Sequence, residues 1–233
     1  MDFLPFPFRA PLTLFRASRR GLLAAGLAAC ALPFGPTGCG RDTGRGGAGS
    51  PLPAGTPVLV LGDSIAAGYG ASRDAAFPAR LQAATGWDVV NAGVSGDTSS
   101  GALLRLAPLL ESHRPALVVV EIGGNDLLRG VPPERTRANI DQMLSRVSAA
   151  GARAVLVAVP EPNLFAYQLG RLSDHPMYRD LAAAHGALLV EGAVSRALAR
   201  ASTRVDPIHP NADGQRLIGE ALVTALRSAG LVR

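Results

Sequence analysis

Lysine is missing altogether: all 23 basic residues of the 233-residue chain are arginine. A lysine nucleophile or a Schiff base is therefore excluded. Cysteine is nearly absent. Cys30 and Cys39 are the only two, and neither lies beyond residue 45. The globular part can hold no disulfide, thiol nucleophile or cysteine metal site. Histidine is scarce, at 113, 175, 185 and 209, with no His-x-x-x-His or similar spacing, so no metal centre is expected. Aromatics make up only 5%. No apolar run reaches the roughly 20 residues that span a bilayer. The formal charge of +5 is concentrated at one end: six arginines precede residue 46 against only Asp2 and Asp42. The remainder is close to neutral, which excludes a nucleic-acid footprint.

What is present divides into a leader, a tether and a domain. Arg9, Arg16, Arg19 and Arg20 precede the short apolar run from Gly21 to Ala29, the layout of an export signal over residues 1–39. Ser18-Arg19-Arg20-Gly21-Leu22-Leu23 resembles a twin-arginine signal, with Leu22 in place of the favoured Phe. Leu27-Ala28-Ala29-Cys30 resembles a bacterial lipobox, which makes Cys30 the first lipidation candidate; Gly38-Cys39-Gly40 is the second. A plain secretory signal with two incidental cysteines is the alternative. Residues 40–56 are rich in Gly, Pro, Ser and Thr and read as a flexible tether.

From residue 57 onward the pattern is regular. Val58-Leu59-Val60-Leu61 is continuously apolar, as expected of a parallel strand buried on both faces. Further strands are expected at 87–91, 116–122, 154–159 and 187–190. Helices are expected at 75–85, 98–113, 133–150, 177–185 and 211–229, the last stopped by Gly230. Five strands alternating with helices predict one α/β domain over 57–233, a three-layer α/β/α arrangement around a five-stranded parallel sheet. Sites in such sheets form at the carboxyl ends of the strands. Gly62-Asp63-Ser64, Asn91-Ala92-Gly93 and Gly123-Gly124-Asn125-Asp126 follow the first three strands directly.

Ser64 alone reads equally well as a helix cap. Asp206 alone could cap the last helix or close an Asx turn. Together with His209 they describe something else. Asp206 and His209 are three apart, so one turn can bring the carboxylate onto one imidazole nitrogen while the other faces Ser64. An attacked acyl carbonyl also needs fixed donors for its developing oxyanion. The backbone N–H groups of Ser64 and Gly93 and the side-chain amide of Asn125 could supply them. Phe165, Tyr167 and Leu169 either line a pocket or pack their loop onto the domain.

Leu61-Gly62-Asp63-Ser64, Asn91 to Thr98, Gly123 to Gly130 and Asp206 to Asn211 resemble, in order, the four blocks of the SGNH (GDSL) hydrolases. The resemblance covers nearly all of residues 57–229 and is strongest to the bacterial thioesterase I, arylesterase and lysophospholipase branch. It implies a flavodoxin-like fold and a serine esterase without cofactor. Ser64 would be the nucleophile, with Gly93 and Asn125 completing its oxyanion hole and His209 as the base held by Asp206. The implied partners are a small acyl ester or lipid substrate, no nucleic acid, and a membrane reached only through the N-terminal lipid anchor. Pro207-Ile208 departs from the Gly or Leu usual between the Asp and the His, and residues 161–176 are the least family-like. A carbohydrate O-deacetylase on the same fold and a non-catalytic lipid- or glycan-binding lipoprotein are the competing functions.

Overall fold

The computed structural model describes residues 50–233. The expected export signal, Cys30, Cys39 and most of the expected tether lie outside the described residues. The packed body begins slightly before Pro57. Leu52 N–H donates to the Leu231 carbonyl at 2.9 Å, and the Trp87 indole reaches the Leu52 carbonyl at 3.3 Å.

Five strands, β1 (Pro57–Gly62), β2 (Asp88–Gly93), β3 (Leu117–Glu121), β4 (Arg153–Val157) and β5 (Leu188–Val190), form one sheet in the order β2-β1-β3-β4-β5. Every pairing is parallel. The nine helices of the described residues are α1 (Ser64–Ala67), α2 (Phe77–Thr85), α3 (Ser99–His113), α4 (Gly124–Leu128), α5 (Pro133–Ala149), α6 (Leu164–Gln168), α7 (Met177–His185), α8 (Ala193–Ala199) and α9 (Ala212–Ser228). The three-layer α/β/α expectation and its strand count both hold.

Alternation along β1 shows why the strand reads as continuously apolar. Val58 and Val60 enter a core with Phe77 and Leu81 of α2 and Ile218, Leu222 and Leu226 of α9. Leu59 and Leu61 enter the opposite core with Leu106 of α3 and Ile140 and Met143 of α5. Both faces are therefore covered, and each such side chain contributes about 1.5–3 kcal/mol by leaving water. The long helices start and stop where their sequences allow. Thr98 caps α3 through Gly101 N–H, Asn211 caps α9 through the amides of Asp213 and Gly214, and left-handed Gly86 ends α2. One polar residue joins the layers: buried Gln215 of α9 accepts from Phe77 N–H at 2.9 Å and donates to the Ile65 carbonyl at 3.0 Å.

The chain moves from β1 outward to β2, then back across to β3. The strand order thus reverses between β1 and β3, and a crevice opens above their carboxyl ends. Four short helices, α1, α4, α6 and α8, surround that end; α1, α4 and α8 follow β1, β3 and β5 directly, and α6 lies in the longer excursion after β4.

Candidate functional site

The β1 strand ends at Gly62, and the chain turns at once into α1. Asp63 is the N-cap: its Oδ1 accepts from Ile65 N–H at 3.0 Å. This fixes Ser64 as the first helical residue, directly above the sheet. The expected alternative, with Ser64 itself as the cap, is not what forms.

The second part comes from the segment before α9. Val205 N–H donates to the His209 carbonyl at 3.0 Å, and Arg204 bridges to Pro210, so the intervening residues form a tight loop. Inside it, Asp206 Oδ1 accepts from the amides of Ile208 at 2.9 Å and His209 at 2.8 Å. Pro207 lacks a donor, but the next two residues provide both. Asp206 Oδ2 is then 2.7 Å from His209 Nδ1, and His209 Nε2 is 3.0 Å from Ser64 Oγ. Burial works against the Asp206 charge, yet the His209 hydrogen bond and the two amides outweigh it and hold its carboxyl below the usual range. Tyr69 lies against the imidazole with ring centres 4.3 Å apart. The structure therefore brings together Ser64, His209 and Asp206 in an unbroken chain of hydrogen bonds.

The expected oxyanion donors fare differently. Gly93 N–H is occupied by Asn91 Oδ1 at 2.9 Å. A Cβ on Gly93 would sit 2.2 Å from Ala67 N, so glycine is required there to let β2 approach α1. Gly93 is thus required by packing, and its N–H, expected to face an oxyanion, is engaged by Asn91 here. Three residues on, Asp97 N–H donates to the Val94 carbonyl at 3.0 Å, closing a turn with Gly96 at its third position and φ of +77°. Such a turn demands glycine. Gly96 is exposed, and its N–H has no partner among the described residues. Asn125 lies beside this turn. Its amide donates to the Asp97 carbonyl at 3.0 Å and to Asp63 Oδ2 at 3.2 Å.

Several residues that sequence reasoning passed over hold this arrangement. Arg105 of α3 reaches Asp97 Oδ2 at 2.8 Å, the Ala92 carbonyl at 2.7 Å and the Gly62 carbonyl at 3.0 Å. Buried Asp126 takes Ser99 N–H at 2.8 Å and Ser99 Oγ at 2.5 Å. Glu121, at the end of β3, is fully buried, and neither carboxyl oxygen has a hydrogen-bond partner among the described residues. Burial, reinforced by the nearby Asp63 charge, pushes it well above the ordinary carboxylate range. Asp63 itself is pushed up to about 6 by burial, against the lowering pull of Ile65 N–H and His209. An acid inside an otherwise apolar strand was the available signal for Glu121; Arg105 carried none, since it sits on a helix that is otherwise half solvated.

Beside the Ser64 turn lies an apolar cavity of about 370 Å³, with Ile65, Leu127, Val159, Val194, Leu198 and Ile208 among its walls. Tyr167 lines it, with the Arg204 guanidinium 4.0 Å from its ring centre. Phe165 and Leu169 face solvent instead, 70% and 52% exposed. Among the described residues no group of three or more His, Cys, Asp or Glu is placed to hold a metal ion.

Residues 60–217 match the family described as GDSL-like lipase/acylhydrolase. The chain is 37% identical over 175 residues to the thioesterase 1/protease 1/lysophospholipase L1 of Escherichia coli K12, covering 73% of this chain and 83% of that one. It is 33% identical over 177 residues to the arylesterase of Vibrio mimicus, covering 72% and 87%. The crystal structure of TesA superposes with a TM-score of 0.66 at 33% identity, over 74% of this chain and 98% of that chain. With fold, block order and relatives in agreement, the chain belongs to the GDSL-like lipase/acylhydrolase (SGNH) family and is an ester hydrolase of that type.

Proposed function

We propose that this protein is an exported serine esterase that cleaves acyl esters or thioesters through an acyl-enzyme. The observation that carries the reading is the His209 ring, 2.7 Å from Asp206 and 3.0 Å from Ser64. In the first step His209 Nε2 takes the Ser64 proton as Oγ attacks the acyl carbonyl. Asp206 keeps Nδ1 protonated and stabilises the imidazolium. Ser64 N–H, Gly96 N–H and the Asn125 amide serve the oxyanion, and Asn125 exchanges its longer bond to Asp63 for the substrate oxygen. The intermediate collapses, and His209 gives its proton to the leaving alcohol or thiol. Water, activated by the same imidazole, then releases the acid. The apolar cavity beside Ser64 takes the acyl chain, which favours chains longer than acetyl and so weighs against the deacetylase reading.

Export, attachment through a lipidated Cys30 or Cys39, and residence in the periplasm or cell envelope belong to the same proposal. Support for them comes from the basic leader, its short apolar run and the Leu27 to Cys30 segment. No helix among the described residues is long and apolar enough to cross a membrane. Mass spectrometry of the mature N-terminus decides this part: a diacylated cysteine supports it, and an unmodified terminus beyond Cys39 removes the anchor.

The activity is tested with p-nitrophenyl esters from acetate to long acyl chains, comparing the purified chain with Ser64→Ala in the presence of EDTA. Turnover that ignores the chelator and disappears in the variant is expected. A rate confined to acetate would favour the deacetylase, and a folded protein with no turnover would favour the binding lipoprotein.

A further inference from the structure

Nine large apolar side chains stand well exposed among the described residues, and all but Leu104 lie at the carboxyl end of the sheet. They come from separate loops. Tyr69 follows α1, Leu128 ends α4, Leu164, Phe165 and Leu169 belong to the excursion after β4, and Ile208 is inside the Asp206–His209 turn. Their exposures run from 39% for Ile208 to 73% for Leu164. Apolar surface gathered around one cavity mouth marks an interaction site, whereas scattered exposure does not.

The excursion is built to present part of this surface. Its base is clasped by Glu161 N–H on the Ser173 carbonyl at 2.9 Å and by the bridge between Pro160 and Asp174. Tyr167 is drawn inward under Arg204 and lines the cavity. Phe165 and Leu169 are thereby left pointing outward, and neither lines the cavity. Arginines flank the ridge. Arg129, Arg171 and Arg200 are exposed, and none pairs with a carboxylate among the described residues. Of the nearby acids, Asp206 is held by His209 and Asp97 by Arg105, while Glu161 alone stands exposed against the three arginines.

We propose that this apolar ridge and its arginine flank form a docking face for a phosphate-bearing lipid surface, which seats the cavity mouth on the acyl chains it takes up. The proposal rests on the esterase reading above. The pattern, apolar side chains bordered by unpaired arginines, is the one that lies in a membrane interface. A second copy of the chain fits less well. A two-fold pairing would gather the unpaired arginines of both copies into one interface with few free carboxylates to meet them.

The test uses the full chain and the double variant Phe165→Ser/Leu169→Ser. One substrate is soluble p-nitrophenyl butyrate. The other is p-nitrophenyl laurate carried in vesicles of phosphatidylcholine and phosphatidylglycerol. The variant should match the wild type on the soluble ester, with the same thermal midpoint, and fall at least about tenfold on the vesicle-borne one. The wild-type rate on vesicles should also drop with added salt, as the arginine contribution is screened. An unchanged vesicle rate in the variant overturns the proposal. A concentration-dependent dimer that the variant abolishes, with the vesicle rate intact, assigns the ridge to a second copy and also overturns it. If the wild type turns over neither ester, the esterase reading fails instead. Co-sedimentation with the same vesicles then tests docking alone, with loss of binding in the variant as its expected result and equal binding as its refutation.

Discussion

Asp63 Oδ2 stands 3.2 Å from the side-chain nitrogen of Asn125, while Asp63 Oδ1 holds Ile65 N–H at 3.0 Å. One buried carboxylate therefore braces both the Ser64 turn and the amide nearest to it. Burial keeps its pKa at about 6 instead of about 3.9. Between those two values the folded state holds a proton that the unfolded chain has lost, so stability falls as pH rises through the window. Two units correspond to about 3 kcal/mol. Asp63→Asn should flatten this slope. Urea unfolding at a series of pH values from 4 to 7 (about the span of the two pKa values) reads it, and parallel wild-type and variant curves would refute it. The variant should also lose about tenfold or more in kcat, because a charged acceptor for two donors is gone.

Asp206→Asn keeps the shape of the turn but loses the charge that orders the imidazole. A fall in kcat of about 10⁴ is expected, with KM little changed. Ser64→Ala/Asp206→Asn should be no worse than Ser64→Ala alone, since the three groups act as a unit. Steady-state kinetics on a soluble ester check both statements, and an additive double variant would contradict them.

Gly93 at the end of β2 and Gly96 beyond it should separate cleanly. Gly93→Ala forces a methyl to within 2.2 Å of the Ala67 nitrogen and should cost about 3 kcal/mol of stability. Gly96→Ala meets only the Arg129 side chain at 3.6 Å, but its φ of +77° strains any other residue by about 1 kcal/mol. Its main effect should be on kcat. Thermal midpoints set beside kcat for the two variants give the answer; a kcat loss confined to Gly93→Ala would restore Gly93 as the oxyanion donor.

Arg105→Lys tests the clamp across the ends of β1 and β2. A lysine cannot reproduce three separate hydrogen bonds to Asp97, Ala92 and Gly62 in one planar fork. A loss of about 2 kcal/mol in stability and a lower kcat with unchanged KM are expected. A variant indistinguishable from wild type would reduce Arg105 to a surface residue.

Much of this fold is legible in the sequence because parallel strands buried on both faces read as apolar runs. β1 and β3 were visible that way, and α7 appears with its expected bounds, Met177 to His185. The short helices α1, α4, α6 and α8 were not visible, since four to seven residues give no helical period to read. The Ser64–His209–Asp206 arrangement was legible from spacing and block order. Which glycine near the end of β2 serves an oxyanion was not legible, for a physical reason. Close packing and oxyanion donation both call for glycine, and only the position of each N–H tells them apart. Asp63 and Glu121 were undervalued because burial, which raises both carboxyls, is a property of the folded body and not of the local sequence.

Ser64 and His209 are 145 residues apart in sequence, and Gln215 of α9 ties the last helix back to Ile65 beside the nucleophile. The order of synthesis then has a chemical meaning. A ribosome releases the proposed nucleophile 145 residues before its proposed base, so over that stretch the growing chain carries a hydroxyl with no imidazole to activate it. Under the proposed mechanism a chain stalled or clipped before residue 209 lacks its base, and hydrolysis itself becomes a reporter that the His209 segment has been made and docked.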